Sequence, residues 1–352
     1  MSWTPDGNAK PAAAGPLMDA SRADGPPRVA VLATGGTIAG VQTGQAGGAY
    51  RAGALSVQDL LAAVPGLDRL ATLRAEQVAS VGSQDMTAAI WHTLAARIRE
   101  IADRDEADAV VLTHGTDTLE ETAWFLELVL PPRLPVVLVG AMRPASSPGA
   151  DGPANLRHAV VLAASARTAG SGPVVVMNEQ IHAARSVRKI SASGICSFAS
   201  PGRGPLGVVA GDRVAMPAAP GTDPLAGRYA GLAGAALPRV DVVHAHVGQD
   251  PALVDWLVGR GARGLVLAGL GAGNASGPVL QALARAAAAG VPVVRASRTG
   301  GGLVGPGGEV DDAALGSIPA GDLSPCKARI LLMLALAAGE DASGLRRCFA
   351  PN

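Results

Sequence analysis

VAVLATGGTIAG at 29–40 and VVLTHGTDTLEET at 110–122 share one pattern. Each is an apolar run that ends in a glycine-bearing turn and presents a threonine, Thr37 in the first and Thr116 in the second. Near-continuous apolar runs separated by helical stretches indicate parallel strands covered on both faces. Ligands in such sheets bind at the carboxyl ends of the strands, where both threonines fall. Two threonines so placed, one with Asp117 beside it, point to hydroxyl-based nucleophilic chemistry on a small molecule.

Working outward, strands are expected at 28–34, 109–113, 136–140 and 173–177, with helices over 87–104, 119–130 and 155–167. MPAAPGTDPLAGRYAGLAGAALP, within 215–238, is rich in Pro, Gly and Ala without clear periodicity and reads as an interdomain connection. Alternation resumes with strands at 240–244, 264–268 and 291–296 and helices at 251–258, 278–289 and 326–338. The fold class is therefore α/β in two domains. A larger N-terminal one (28–214) holds a parallel-rich sheet flanked by helices, and a smaller C-terminal α/β domain of flavodoxin-like type occupies 239–352. Residues 1–27, rich in Ala, Pro, Gly and Asp, lack the apolar centre of a signal peptide and read as a disordered leader, so a cytoplasmic location is expected.

At 352 residues the chain exceeds the roughly 250–300 that one core usually serves. Lys+Arg and Asp+Glu both total 29, so no net charge draws it to nucleic acid or an anionic membrane. Aromatics at 3% argue against a base-stacking platform, and no apolar run approaches the roughly 20 residues of a membrane span. Charged residues at 16% fit a subunit that covers surface by self-association. Cys196, Cys326 and Cys348 have no metal-ligand spacing and read as reduced thiols.

Each candidate residue has an ordinary alternative. Gly35 and Gly36 allow a tight turn, after which Thr37 alone reads as a cap. Asp117 can cap a helix, orient a cation or grip a substrate ammonium, while Glu120 and Glu121 read as capping residues favoured by the helix dipole. Ser83 and Asp85, in GSQDM at 82–86, read as caps of the helix that follows. Lys189, in ARSVRKISASG, is by default a solvated charge. Tyr50 ends a glycine-dense loop thirteen residues after Thr37. GLGAGNASG at 269–277 is superficially a dinucleotide fingerprint, discounted because its spacing is loose and the first βα turn is the threonine turn.

Taken together, TGGTIA and HGTDT resemble the motifs of the bacterial-type L-asparaginases. VGAMRP at 139–144, ADGPANL at 150–156, GPLG at 204–207, VVRASR at 293–298 and SPCKARILL at 324–332 extend the likeness in order from Arg28 onward. It is closest to the usually exported type II branch, although the chain shows no secretion signal and no cysteine pair in 86–134, where many of that branch carry a disulfide.

The resemblance implies hydrolysis of L-asparagine to L-aspartate and ammonia without metal or cofactor. By it, Thr37 attacks the amide carbon with help from Tyr50 on a mobile loop, giving an acyl-enzyme, and Thr116, Asp117 and Lys189 manage protons or position water. Arg185 and Lys189 keep the family's four-residue spacing. Ser83, Gln84 and Asp85, with Thr116 and Asp117, are implied to hold the substrate's charged groups. Asn274, in GNAS where the family has a GNG-type turn, and Glu309, in EVDD, are implied to reach a neighbouring subunit's site in a homotetramer built as a dimer of dimers. Comparable action on L-glutamine, action on an amide of a larger substrate, and a non-catalytic amino-acid sensor on the same scaffold are the other readings. A transamidation subunit working on aminoacyl-tRNA would be expected to add a domain and a basic surface, and neither is evident.

Overall fold

The computed structural model describes residues 25–42, 50–165, 167–217, 221–232 and 234–350. Strand Arg28–Gly35 pairs in parallel with Thr72–Val81 on one side and with Ala109–Thr113 on the other. Val136–Val139 and Val174–Met177 continue the parallel run. Gln180–Ala183, Gly207–Ala210 and Arg213–Ala215 complete an eight-stranded sheet through antiparallel pairs.

Both faces of this sheet are covered, as its apolar strands require. Val29, Val31 and Ala33 share a core with Leu156, Ala159 and Val160 of helix Gly152–Ala164. Ala30 and Leu32 face the other way, into a core with Leu94 and Ile98 of helix Ala88–Asp103 and Trp124 of helix Leu119–Val129.

Strands Val240–His244, Gly264–Gly269, Val293–Ser297 and Ser317–Pro319 form a second, all-parallel sheet of four. Val243, Leu265 and Leu267 pack with helices Ala252–Gly259 and Gly277–Ala288. Val266 and Val294, on the opposite face, belong to the same core as Trp124 and Phe125. Helix Pro325–Ala337 packs in that core between the small sheet and helix Leu119–Val129, with Ala328, Leu331 and Leu334 buried.

The large sheet contains a strand that lacks the apolar signature of its neighbours. Thr72–Val81 is an edge strand, partly exposed along its length, so its sequence TLRAEQVASV carries polar residues that an interior strand would not. The stretch 215–238 is also more than a tether where it is described. Leu225 and Tyr229 are buried in the main core, and the Gly227 and Tyr229 amides donate to Glu127 O (2.8 Å) and Leu128 O (2.9 Å). Residues 218–220 and 233 of that stretch, and 1–24 of the expected leader, lie outside the described residues.

Strand order positions the site. From Arg28–Gly35 the chain proceeds to the edge strand on one side, whereas from Ala109–Thr113 it proceeds to Val136–Val139 on the other. The loops leaving these adjacent strands diverge and open a crevice at their carboxyl ends. At its floor the two turns touch backbone to backbone. Gly36 sits at φ 82°, and a Cβ there would lie 2.3 Å from Gly115 Cα.

Gly36→Ala should therefore lose about 3 kcal/mol or more of stability, since strained φ and a backbone clash add. Gly194, at φ 82° with nothing within 4 Å of a Cβ, supplies the control. Gly194→Ala should lose about 1 kcal/mol by denaturant titration. Equal losses for the two variants would contradict the close-approach account.

Candidate active site

The turn after the first strand is a short 3-10 segment, Thr37–Ala39, with Thr37 buried. It is stitched down by main-chain bonds: Gly40 N donates to Thr37 O (2.8 Å), Gly53 N to Gly36 O (3.0 Å), and Ala54 N to Ala39 O (2.8 Å). Chain leaving the turn thus returns directly onto it, and Val41–Gln42 pairs antiparallel with Tyr50–Arg51. Residues 43–49, the expected lid, lie outside the described residues, as does the side chain of Tyr50.

Across the crevice Thr116 is buried and Asp117 is open, its side chain 62% exposed. Lys189 links them. Its Nζ donates to Thr116 Oγ1 (2.8 Å) and to Asp117 Oδ1 (2.6 Å), while its backbone N–H donates to Glu120 Oε2 (2.7 Å). A cation held against a hydroxyl oxygen and a carboxylate is a short path for a proton. Glu120 therefore fastens the lysine's backbone in place. Thr118, the cap residue of that helix, uses its hydroxyl elsewhere, donating to Ser83 O (2.7 Å).

Ser83 also differs from a cap of the helix that follows it. The cap is Thr87, whose Oγ1 accepts from Ile90 N (3.3 Å). Ser83 opens the 3-10 segment Ser83–Asp85, is buried, and accepts from Asp117 N at 3.1 Å, which locks the two loops together. Gln84 and Asp85 are exposed at its rim, with Gln84 Nε2 donating to Asp85 Oδ2 (3.1 Å). Thr37, Ser83, Thr116, Asp117 and Lys189 are thus gathered around one crevice.

Asn274 and Glu309 lie elsewhere. Asn274 Nδ2 donates to Glu309 Oε2 at 2.6 Å, and both belong to loops that leave the carboxyl ends of the small parallel sheet. Among the described residues no hydrogen bond joins this pair to the threonine turns. Nor, among them, is any group of three or more His, Cys, Asp or Glu arranged to hold a metal ion.

Beneath the site runs a network absent from the expectations. His114, fully buried, has Nδ1 2.7 Å from Gly115 O, an acceptor, so Nδ1 carries the proton. Nε2 must then accept from Thr122 Oγ1 (2.8 Å), whose oxygen in turn accepts from Trp91 Nε1 (2.8 Å). Burial pulls the His114 pKa from 6.5 down to about 4, so the ring is neutral and its tautomer fixed. The histidine stands in the HGTDT motif, but nothing in the sequence shows which ring nitrogen is used or by whom. Lys327, also fully buried, donates from Nζ to Arg185 O (2.9 Å) and to Val187 O.

Comparison with known proteins follows the same two-part division. Residues 28–220 match the model described as "Asparaginase, N-terminal" and 239–349 that described as "Glutaminase/Asparaginase C-terminal domain". The chain is 41% identical over 326 residues to L-asparaginase 2 of Escherichia coli, covering 92% of each. It is 37% identical to the glutaminase-asparaginase of Pseudomonas fluorescens, over 91% of this chain and 89% of that one. The crystal structure of a probable cytoplasmic L-asparaginase from Campylobacter jejuni superposes with TM-score 0.86 at 37% identity, covering 92% of this chain and 99% of that one.

The buried histidines give stability a defined pH dependence. His182, like His114, is held near 4, by burial first and then by the Lys327 charge, so between about 4 and 6.5 the unfolded chain binds protons that the folded one refuses. Their contribution is complete above 6.5 and is lost as pH falls toward 4, at about 1.4 kcal/mol per pH unit for each ring. Unfolding titrations between pH 4.5 and 6.5 should show His182→Gln with a slope lower by about that amount. An unchanged slope would mean that His182 is already charged in the folded protein.

Proposed function

The chain belongs to the asparaginase family, and from that premise we propose that it hydrolyses the side-chain amide of L-asparagine to L-aspartate and ammonia through a threonine nucleophile and an acyl-enzyme. The observation that carries the reading is Lys189 Nζ held between Thr116 Oγ1 and Asp117 Oδ1, across a glycine contact from Thr37.

Thr37 Oγ forms a bond to the amide carbon, and its proton passes, with help from Tyr50, toward the nitrogen that departs as ammonia. Thr116, Lys189 and Asp117 relay protons and position the water that cleaves the ester, returning Thr37 to its hydroxyl form. Backbone N–H groups of the threonine turns stabilise the oxyanion. Asp117 and Asp85 suit the substrate's α-ammonium. Ser83, whose Oγ accepts from Asp117 N, keeps its own hydrogen to donate to the α-carboxylate, beside Gln84.

The working form in this reading is a homotetramer, a dimer of dimers, with Asn274 and Glu309 completing a neighbour's site. Support comes from apolar side chains left in water at the same ends of the strands. Val247 is 95% exposed and Leu303 62%, both in loops at the carboxyl edge of the small sheet, and Ile190 beside Lys189 is 56% exposed. Residence in the cytoplasm is the compartment named for the Campylobacter jejuni protein. A second reading, comparable action on L-glutamine, is favoured by the 37% identity to the Pseudomonas fluorescens glutaminase-asparaginase. One methylene separates the substrates, and a pocket discriminates that by about 1–3 kcal/mol.

Ammonia release from L-asparagine and L-glutamine decides between these readings. Thr37→Ala should lower kcat on asparagine by about a thousandfold or more, and the wild-type ratio of rates fixes specificity. A folded wild type that binds either amino acid without releasing ammonia would point to a sensor. Complementation tests the shared site: Thr37→Ala and Asn274→Ala, each weakly active alone, should recover about a quarter of wild-type activity when co-assembled at equal amounts, because half the dimers carry one intact site of two. No recovery in verified mixed oligomers would remove Asn274 from the neighbour's site.

A further inference from the structure

Lys189 sits at the end of a short segment that leaves strand Gln180–Ala183 through a turn, where the Ser186 and Val187 amides donate to Ala183 O, and finishes in a two-residue pairing with Phe198–Ala199. Ala183, Ala184, Arg185 and Ser186 border a cavity of about 490 Å³, so packing leaves that side of the chain unfilled. Further restraint on the segment comes from the C-terminal part of the chain. Lys327, on helix Pro325–Ala337, is fully buried, and its Nζ donates to the carbonyls of Arg185 and Val187, four and two residues before Lys189. Arg188 donates to Asp322 O (3.0 Å) and Thr299 O (3.3 Å), and Arg185 pairs with Asp322 at 2.8 Å.

Lys327 is also tied to the other support of Lys189. Its own carbonyl accepts from Trp124 Nε1 (3.1 Å), and Trp124 lies on helix Leu119–Val129, whose first turn carries Glu120. Glu120 accepts the Lys189 backbone N–H at 2.7 Å. One buried residue therefore reaches the strap that carries the cation through its side chain, and the helix that receives it through its backbone carbonyl.

We propose that Lys327 is a positioning residue for the hydrolytic reaction, setting through the Arg185 and Val187 carbonyls where Lys189 Nζ stands between Thr116 and Asp117. Burial costs a lysine its charge unless something compensates, and an apolar residue would fill this place at less expense if bulk alone were needed. Among the described residues no other donor reaches these two carbonyls, so an apolar replacement would leave both unpaired. Burial draws the Lys327 pKa from 10.5 down to about 8, and even the neutral amine keeps two hydrogens for the two carbonyls, so the clamp holds in either form. The inference rests on the reading of Lys189 as the cation that handles protons.

The test compares Lys327→Met with Leu331→Ala in the full chain, assaying asparagine turnover per folded site. Leu331 is fully buried one turn along the same helix and has no hydrogen bond to the strap, so its truncation weakens the fold without touching the clamp. Lys327→Met should lower kcat by about 10- to 100-fold with KM within about threefold, because small displacements of a catalytic group cost rate more than binding. Leu331→Ala should keep kcat within about twofold despite a comparable fall in Tm. Lys327→Gln, which restores one donor nitrogen at shorter reach, should fall between Lys327→Met and wild type.

A Lys327→Met enzyme with wild-type kcat per folded site would overturn the proposal, and so would equal kcat losses in Lys327→Met and Leu331→Ala. If neither Lys327 variant folds while Leu331→Ala does, Lys327 serves the fold as a whole and the positioning role is likewise rejected. Lys189→Met, assayed alongside, separates the two levels. Full activity there removes the role of Lys189 itself, whereas loss at Lys189 with none at Lys327 removes only the clamp.

Discussion

The constraint on which everything else depends is the contact between Gly36 and Gly115. Two adjacent parallel strands lie close in the hydrogen-bonding direction, about 4.8 Å apart. Two ordinary turns leaving them would still be pushed apart by their side chains. With no Cβ on either residue, backbone meets backbone, and the threonine that follows each glycine is delivered to the same crevice. The reversal of chain direction at that pair of strands then keeps the loops from closing over the opening. Glycine is thus needed at 36 for space as much as for torsion, and at 115 for space.

Once the turns are joined, the polar groups below them are confined to single roles. His114 has one neighbour that can only accept, which determines its tautomer. Thr122 is then obliged to donate to His114 and accept from Trp91. A chain satisfied at every atom has no inexpensive alternative arrangement, because turning any member leaves a buried donor or acceptor alone. Rigidity under the site therefore comes from hydrogen-bond completeness as well as from apolar packing.

Much of this was legible in the sequence, and the exceptions have physical causes. Strand 109–113 was readable to the residue because an interior parallel strand is buried on both faces, and 240–244 kept enough apolar residues to be read although it stands at the edge of the small sheet. Thr72–Val81 was not, since an edge strand half open to water carries no such run. The threonine turns announced themselves through glycine, which marks special backbone geometry locally. Glu120, by contrast, satisfies every local rule for a helix-capping acid, and only a partner sixty-nine residues away reveals that it fastens Lys189. Lys327 is the extreme case: in SPCKARILL it looks like a helical lysine free to reach solvent, and its burial is decided by the small sheet on one side of its helix and helix Leu119–Val129 on the other.

That difference explains how Lys189 is anchored. A side chain with four rotatable bonds, bridging a threonine and a largely exposed aspartate, is poorly restrained by its own contacts, since exposed ion pairs contribute little. Fixing its head group is less effective than fixing the backbone from which it springs. Here that backbone is held by pairing with Phe198–Ala199, by Glu120 at the Lys189 amide, by the Lys327 amine at two carbonyls, and by Arg188 at the Asp322 and Thr299 carbonyls. The last two of these restraints come from beyond residue 239, so the second part of the chain acts on the crevice through its own core. A change in the Lys327 amine is therefore transmitted to the cation without touching a residue in the crevice.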